Sequence, residues 1–154
     1  MMSCIEILFE HNLTCRESLL DTLEQVNTEE FVRDRGVGKS SIRNILVHLV
    51  NTERGWISFL DNRESTDIEP ESRDRVQSIR EIWSRVHEGT REFMDKVRED
   101  QLLHVKSVKW GNQTVSFTIG KVLMHVATHE THHRGVLTGL IRQQGIDPPG
   151  FDMI

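Results

Sequence analysis

At 154 residues, with 36% hydrophobic and 28% charged side chains, the chain has the balance of a globular protein and the length for one domain over 1–154. No apolar run approaches the roughly 20 residues needed to cross a bilayer, and MMSCIEILFEHN lacks the basic start and small-residue cleavage site of a secretory signal. The net charge of -5, with Lys and Arg dispersed among Asp and Glu, argues against a nucleic-acid surface.

Cys4 and Cys15 would lie roughly 16 Å apart on one helix, too far for a disulfide, and two reduced thiols suit the cytoplasm. From about Cys4 to Val26, Ile5, Leu8, Cys15, Leu19, Leu23 and Val26 recur at helical spacing and predict a first amphipathic helix. Thr28 to Lys39, with Gly36 and Gly38, reads as a loop. Ser40 or Ser41 can cap a second helix to about Asn62, whose apolar arc holds Ile42, Ile45, Leu46, Leu49, Trp56, Ile57 and Leu60. A polar connector ends at Pro70, and a third helix is expected from about Glu71 to Arg98. In VKWGNQTVSF, apolar and polar residues alternate on both sides of Gly111-Asn112, predicting a short hairpin. Thr118 can cap a fourth helix that runs to about Gln144 and stops at Gly145. Four amphipathic helices and one hairpin make an all-α four-helix bundle the economical architecture.

Half of the eight histidines fall in HVATHETHHRG, residues 125–135. At about 100° per residue, His129 and His133 share an arc with Val122, Val126, Val136 and Leu140, so both are expected in the middle of the buried stripe. His132 then falls on the flank, His125 one turn earlier, and Thr131, Arg134, Thr138 and Arg142 on the solvent side. Neutral imidazoles four apart on one helix face can reach a common ion about 2.0 to 2.1 Å from each. The bland alternative is a pair of hydrogen-bonded core or rim histidines; burial inside an apolar stripe would then leave several polar groups to satisfy.

His48 is the best candidate for a third ligand, because its neighbours on the second helix point inward; a rim histidine with a backbone partner is the alternative. His11, His87 and His104 read as surface or boundary positions. Glu53 falls in the second helix's apolar arc, where a salt bridge is the simpler role and support of a ligand the other. Residues 129–133 spell the H-E-x-x-H of zinc proteases, but Val136 stands where the longer motif needs glycine. Only 21 residues follow His133, and Glu130 should point away from the site.

With "LFEHNLTCRESLLDTLEQV", "SIRNILVHLVNTERGWISFL" and above all "HVATHETHHRGVLTGLIRQQGIDPPGFD", the chain resembles the DinB family of DinB/YfiT-like metalloenzymes nearly end to end. The resemblance implies a four-helix bundle in which His48, His129 and His133 hold a divalent metal. Zinc or nickel fits such a set first, with iron or manganese open. It also implies a homodimer and a small-molecule substrate. Some families of similar fold are thiol transferases using low-molecular-weight thiols such as bacillithiol or mycothiol; a hydrolase is the parallel reading. The contrasting expectation is a non-catalytic bundle whose metal serves stability, sequestration or sensing, with His125 or Glu53 closing the coordination. Arg134 and Gly135 match the family's HRG element, Arg134 being expected in an interhelix or dimer contact. Val136 stands where many members carry glutamine, which puts any role of that glutamine in doubt here.

Overall fold

A computed structural model describes residues 2–36 and 38–154, and the expected all-α bundle with a hairpin before the last helix is what it contains. The elements are α1 (Met2–Leu23), α2 (Thr28–Val32), α3 (Ile42–Leu60), α4 (Val76–Lys96), β1 (Val105–Trp110), β2 (Gln113–Thr118) and α5 (Ile119–Gln143). Short 3-10 turns at Pro70–Ser72 and Glu99–Leu103 frame α4. None of the described helices is long and apolar enough to cross a membrane.

Most boundaries follow from the caps. The Ser41 side chain accepts from the Asn44 amide at the start of α3, and Thr118 accepts from the Lys121 amide at the start of α5. Gly145, at φ 73°, takes the left-handed conformation that ends α5. The hairpin pairs Val105 with Thr118 through Trp110 with Gln113, leaving Gly111-Asn112 as its two-residue turn. Gly111, at φ 58°, occupies the first turn position, where a positive angle favours glycine.

Three boundaries differ from expectation. α1 stops at Leu23, because Asn27 turns outward and its side chain caps a new helix by accepting from the Glu30 amide. The expected Thr28–Lys39 loop therefore begins as α2, which buries Phe31, a side-chain burial of about 1.5–3 kcal/mol. Gly36 and Gly38 keep the rest a loop; Val37, inside it, lies outside the described residues. The third predicted helix starts at Val76 rather than Glu71, since Pro70–Ser72 closes a separate 3-10 turn.

α3 packs against α4 and α5, and α1 against α5. The core consists of two apolar clusters, one holding Leu19, Leu46, Ile79 and Leu137, the other Phe9, Ile57, Phe93 and Leu123. In sequence, every long helix passes from one cluster to the other through buried polar residues: Asn12 and Arg16 on α1, Glu53 on α3, His87 and Thr90 on α4, Glu130 and Arg134 on α5.

Arg16 Nε donates to Glu130 Oε1 at 3.1 Å, and its Nη2 donates to Glu130 Oε2 at 2.7 Å and Glu53 Oε2 at 3.0 Å. Glu53 also accepts from Trp83 Nε1 at 2.7 Å and Thr90 Oγ1 at 2.8 Å, while His87 Nδ1 lies 3.3 Å from its Oε1. The Arg16 guanidinium lies over the Trp83 ring, 4.1 Å from its centroid. Arg134 Nη1 donates to Asn12 Oδ1 at 3.1 Å and stands 4.0 Å from Glu130. Two arginines thus balance two carboxylates in the layer. Burial alone would push the Glu53 carboxyl up, but Arg16 and the hydrogen bonds from His87 and Trp83 outweigh it and hold Glu53 well below the usual carboxylate range.

This layer corrects several sequence expectations. Arg134, placed by periodicity on the solvent face, is buried, with its guanidinium 5.2 Å from the Phe151 ring centroid, and its bond to Asn12 on α1 is an interhelix contact of the kind expected for it. His87, read as a surface or boundary residue, is buried against Glu53. Glu53 takes the salt-bridge role, and its named partners are in the layer rather than among the site histidines.

Candidate metal centre

His48 comes from α3, and His129 and His133 from successive turns of α5. The histidines line the edge of the buried face rather than its middle. Val122, Val126, Glu130, Leu137 and Ile141 are the buried side, and Glu130 at its centre is about 100° round the helix from His129. Val136, expected to be buried, is exposed. The three imidazoles are accordingly half-buried, open on one side to a ligand.

His48 Nε2 lies 3.1 Å from His129 Nε2. Ring centroids are 4.9 Å apart for His48 and His129, 5.0 Å for His48 and His133, and 4.5 Å for His129 and His133, all edge to face. One nitrogen from each ring lies within 4.8 Å of the others. Nitrogens bonded to one tetrahedral ion sit about 3.3 Å apart, so the His48–His129 pair is close to that spacing, with a His133 nitrogen within 4.8 Å of both. His133 Nδ1 is buried without a hydrogen-bond partner among the described residues, an atom a ligand would satisfy. A soft-to-borderline set of three imidazoles fits zinc or nickel.

The rings are also held in the form a metal needs. Burial, followed by the charges of Lys39 and His133, brings His48 from the usual 6.5 down to about 4. Burial, followed by the neighbouring His133 and His48, brings His129 to about 4. Burial and His132 lower His133 as well. Neutral imidazole, with a free lone pair, is the ligating species.

The expected trio is therefore brought together, and Glu130 turns away as expected, to Arg16. His125 stands outside the group, its ring 5.4 Å from His129 and 5.8 Å from Trp56. His132 is exposed beside His133, at 5.0 Å. Cys4 and Cys15 are free thiols outside the group.

Two neighbourhoods of the site went unread in the sequence. On one side Trp56, Trp110, Phe117 and His125 form a continuous ring cluster, with Trp56 5.5 Å from Phe117 and 6.1 Å from Trp110. The alternation of Trp110 and Phe117 signalled a hairpin, but nothing local showed that it would fold over Trp56. On the other side, Lys39, in the loop after α2, lines a cavity together with His133.

The family model for the DinB family matches residues 1–154. Protein YizA of Bacillus subtilis is 29% identical over 149 residues, covering 95% of this chain and 91% of that one. Protein DinB of the same organism is 22% identical over 147 residues, covering 90% and 84%. Among solved structures, a conserved protein from Enterococcus faecalis superposes with a TM-score of 0.69 at 17% identity, over 89% of this chain and 94% of that one. A DinB-like protein, YjoA of B. subtilis, gives 0.64 at 16% identity, over 94% and 96%. At these identities the solved structures speak for the fold.

Proposed function

The chain belongs to the DinB family, and from that premise we propose that it is a divalent-metal-binding enzyme acting on a small molecule, by thiol-dependent group transfer or by hydrolysis. The convergence of His48, His129 and His133 at the open edge of α5, with no fourth protein ligand within the group among the described residues, carries the reading. Three imidazoles with an open side are the donor set of catalytic rather than structural zinc sites. A divalent ion bound there would lower the pKa of a thiol or water beside it and supply a nucleophile at neutral pH.

The chain's own residues provide the rest. The polar layer fixes α3 against α5 through the Arg16 bridge from Glu53 to Glu130, setting the distance between His48 and the α5 pair. Burial keeps the rings neutral and free to bind at physiological pH. The aromatic cluster at Trp56 offers an apolar face to the non-reacting part of a substrate.

The test is elemental analysis after chelator-free purification, followed by turnover of a chlorinated nitrobenzene with low-molecular-weight thiols. About one divalent ion per chain, lost in His48→Ala together with turnover, is the expected result. No metal in the wild-type protein would end this reading; metal without thiol-dependent turnover would favour hydrolysis.

A further inference from the structure

A cavity of about 390 Å³ adjoins the histidine group at its Lys39 side, lined by Lys39, Ser40, Ile45, His133, Val136 and Leu140. Its walls divide by chemistry. Ile45, Val136 and Leu140 give an aliphatic surface, His133 opens onto the candidate metal position, and Lys39 provides a cation. Arg35 also borders the cavity, but its guanidinium is engaged by Glu30 Oε2 at 3.0 Å and by the Glu30 and Arg33 carbonyls. Lys39 has no carboxylate partner within ion-pair distance among the described residues, so its charge is unspent.

We propose that this cavity recognises the carboxylate of a small substrate, with Lys39 as the specificity-determining contact, an aliphatic spacer along Ile45, Val136 and Leu140, and the reacting end at His133. The assignment of the reacting end rests on the metal-site reading above; the carboxylate pocket itself does not.

Lys39 and His133 line the same cavity, so a carboxylate held by the one and a reacting group at the other border one space. A flexible four-carbon stem suits a point contact to one carboxylate oxygen better than a fixed two-pronged clamp. Positions 36 and 38 have positive φ, which shapes the loop carrying Lys39 around the cavity mouth.

The probes are 3-mercaptopropionate and 6-mercaptohexanoate, each against its methyl ester, titrated into cobalt-loaded protein and followed by thiolate-to-cobalt absorption. At least one acid is expected to bind about twofold to fivefold tighter than its ester, the range for one exposed charged contact. Lys39→Met should abolish that preference, and Lys39→Arg should restore it. Equal affinity of acids and esters, or a preference that survives Lys39→Met, overturns the proposal. If cobalt does not bind, the metal reading falls on its own, and hexanoate titrated into the metal-free protein decides the pocket by amide shifts. Lys39-dependent shifts at Gly38, Ser40 and Val136 support the pocket, and their absence overturns it.

Discussion

His48 and His129, 81 residues apart in the chain, bring their Nε2 atoms to 3.1 Å. Two neutral imidazoles at that distance satisfy each other only if one carries its proton on Nε2 and the other on Nδ1; a bridging ion removes the restriction. The pair therefore holds two alternatives in one geometry, a hydrogen bond and a ligand set, and both require at least one ring to remain unprotonated.

The pH dependence follows from that requirement. His48 and His129 fall from the usual 6.5 in the unfolded chain to about 4 in the folded one. The folded state thus binds fewer protons between those values, so stability is complete above about pH 6.5 and declines as pH falls through about 4. Thermal unfolding of the metal-free protein should show a falling Tm between pH 6.5 and 4, and the fall should be shallower in His48→Ala. A Tm unchanged across that window would contradict neutral, desolvated rings. Metal affinity should likewise be nearly flat from pH 8 to about 6 and fall steeply only near the depressed values.

The buried layer predicts an asymmetric mutational response. Arg16→Met leaves Glu53 and Glu130 charged and partnerless on one side, which costs about 3–5 kcal/mol for a broken buried pair. Combining Arg16→Met with Glu130→Gln should cost less than the sum of the two single changes, because the second removes one charge that the first orphaned. Urea unfolding of the two singles and the double measures the coupling. Strict additivity would show that the layer does not act as one network.

Glycines along α5 separate close packing from propensity. A Cβ at Gly139 would meet nothing within 4 Å, so Gly139→Ala should gain up to about 1 kcal/mol from helix propensity. A Cβ at Gly120 would stand 3.2 Å from the Leu102 carbonyl oxygen, which opposes the same gain, and Gly120→Val should cost about 1–3 kcal/mol. Chemical denaturation of the three variants checks the ordering. Equal stabilisation by alanine at 120 and 139 would contradict the close approach of α5 to the Glu99–Leu103 turn.

Much of this arrangement was legible in the sequence because it is local. The i, i+4 spacing of His129 and His133, the Ser41 and Thr118 caps, and Gly111-Asn112 between alternating residues each act within a few positions. His48 was legible because its helix is strongly amphipathic, and the family resemblance pointed to the same residue. What was missed depends on partners far along the chain. Glu130 and Arg134 are charges buried against Arg16 and Asn12, over 110 residues away, so periodicity that counts only apolar residues centred the buried face on His129 rather than about 100° round the helix, at Glu130. His87 looked peripheral for the same reason, its partner Glu53 lying 34 residues earlier. Lys39 had no signal of its own, since its place beside His133 comes from the loop after α2.

The most direct test of the account is a crystal structure of the protein soaked with zinc or nickel, with anomalous data collected at the metal edge. The account predicts one ion bonded to nitrogens of His48, His129 and His133 at about 2.0–2.1 Å, with the remaining positions held by water or a small molecule. Full loading with no ion at these three residues, or His125 or another side chain closing the coordination as a fourth protein ligand, would contradict it.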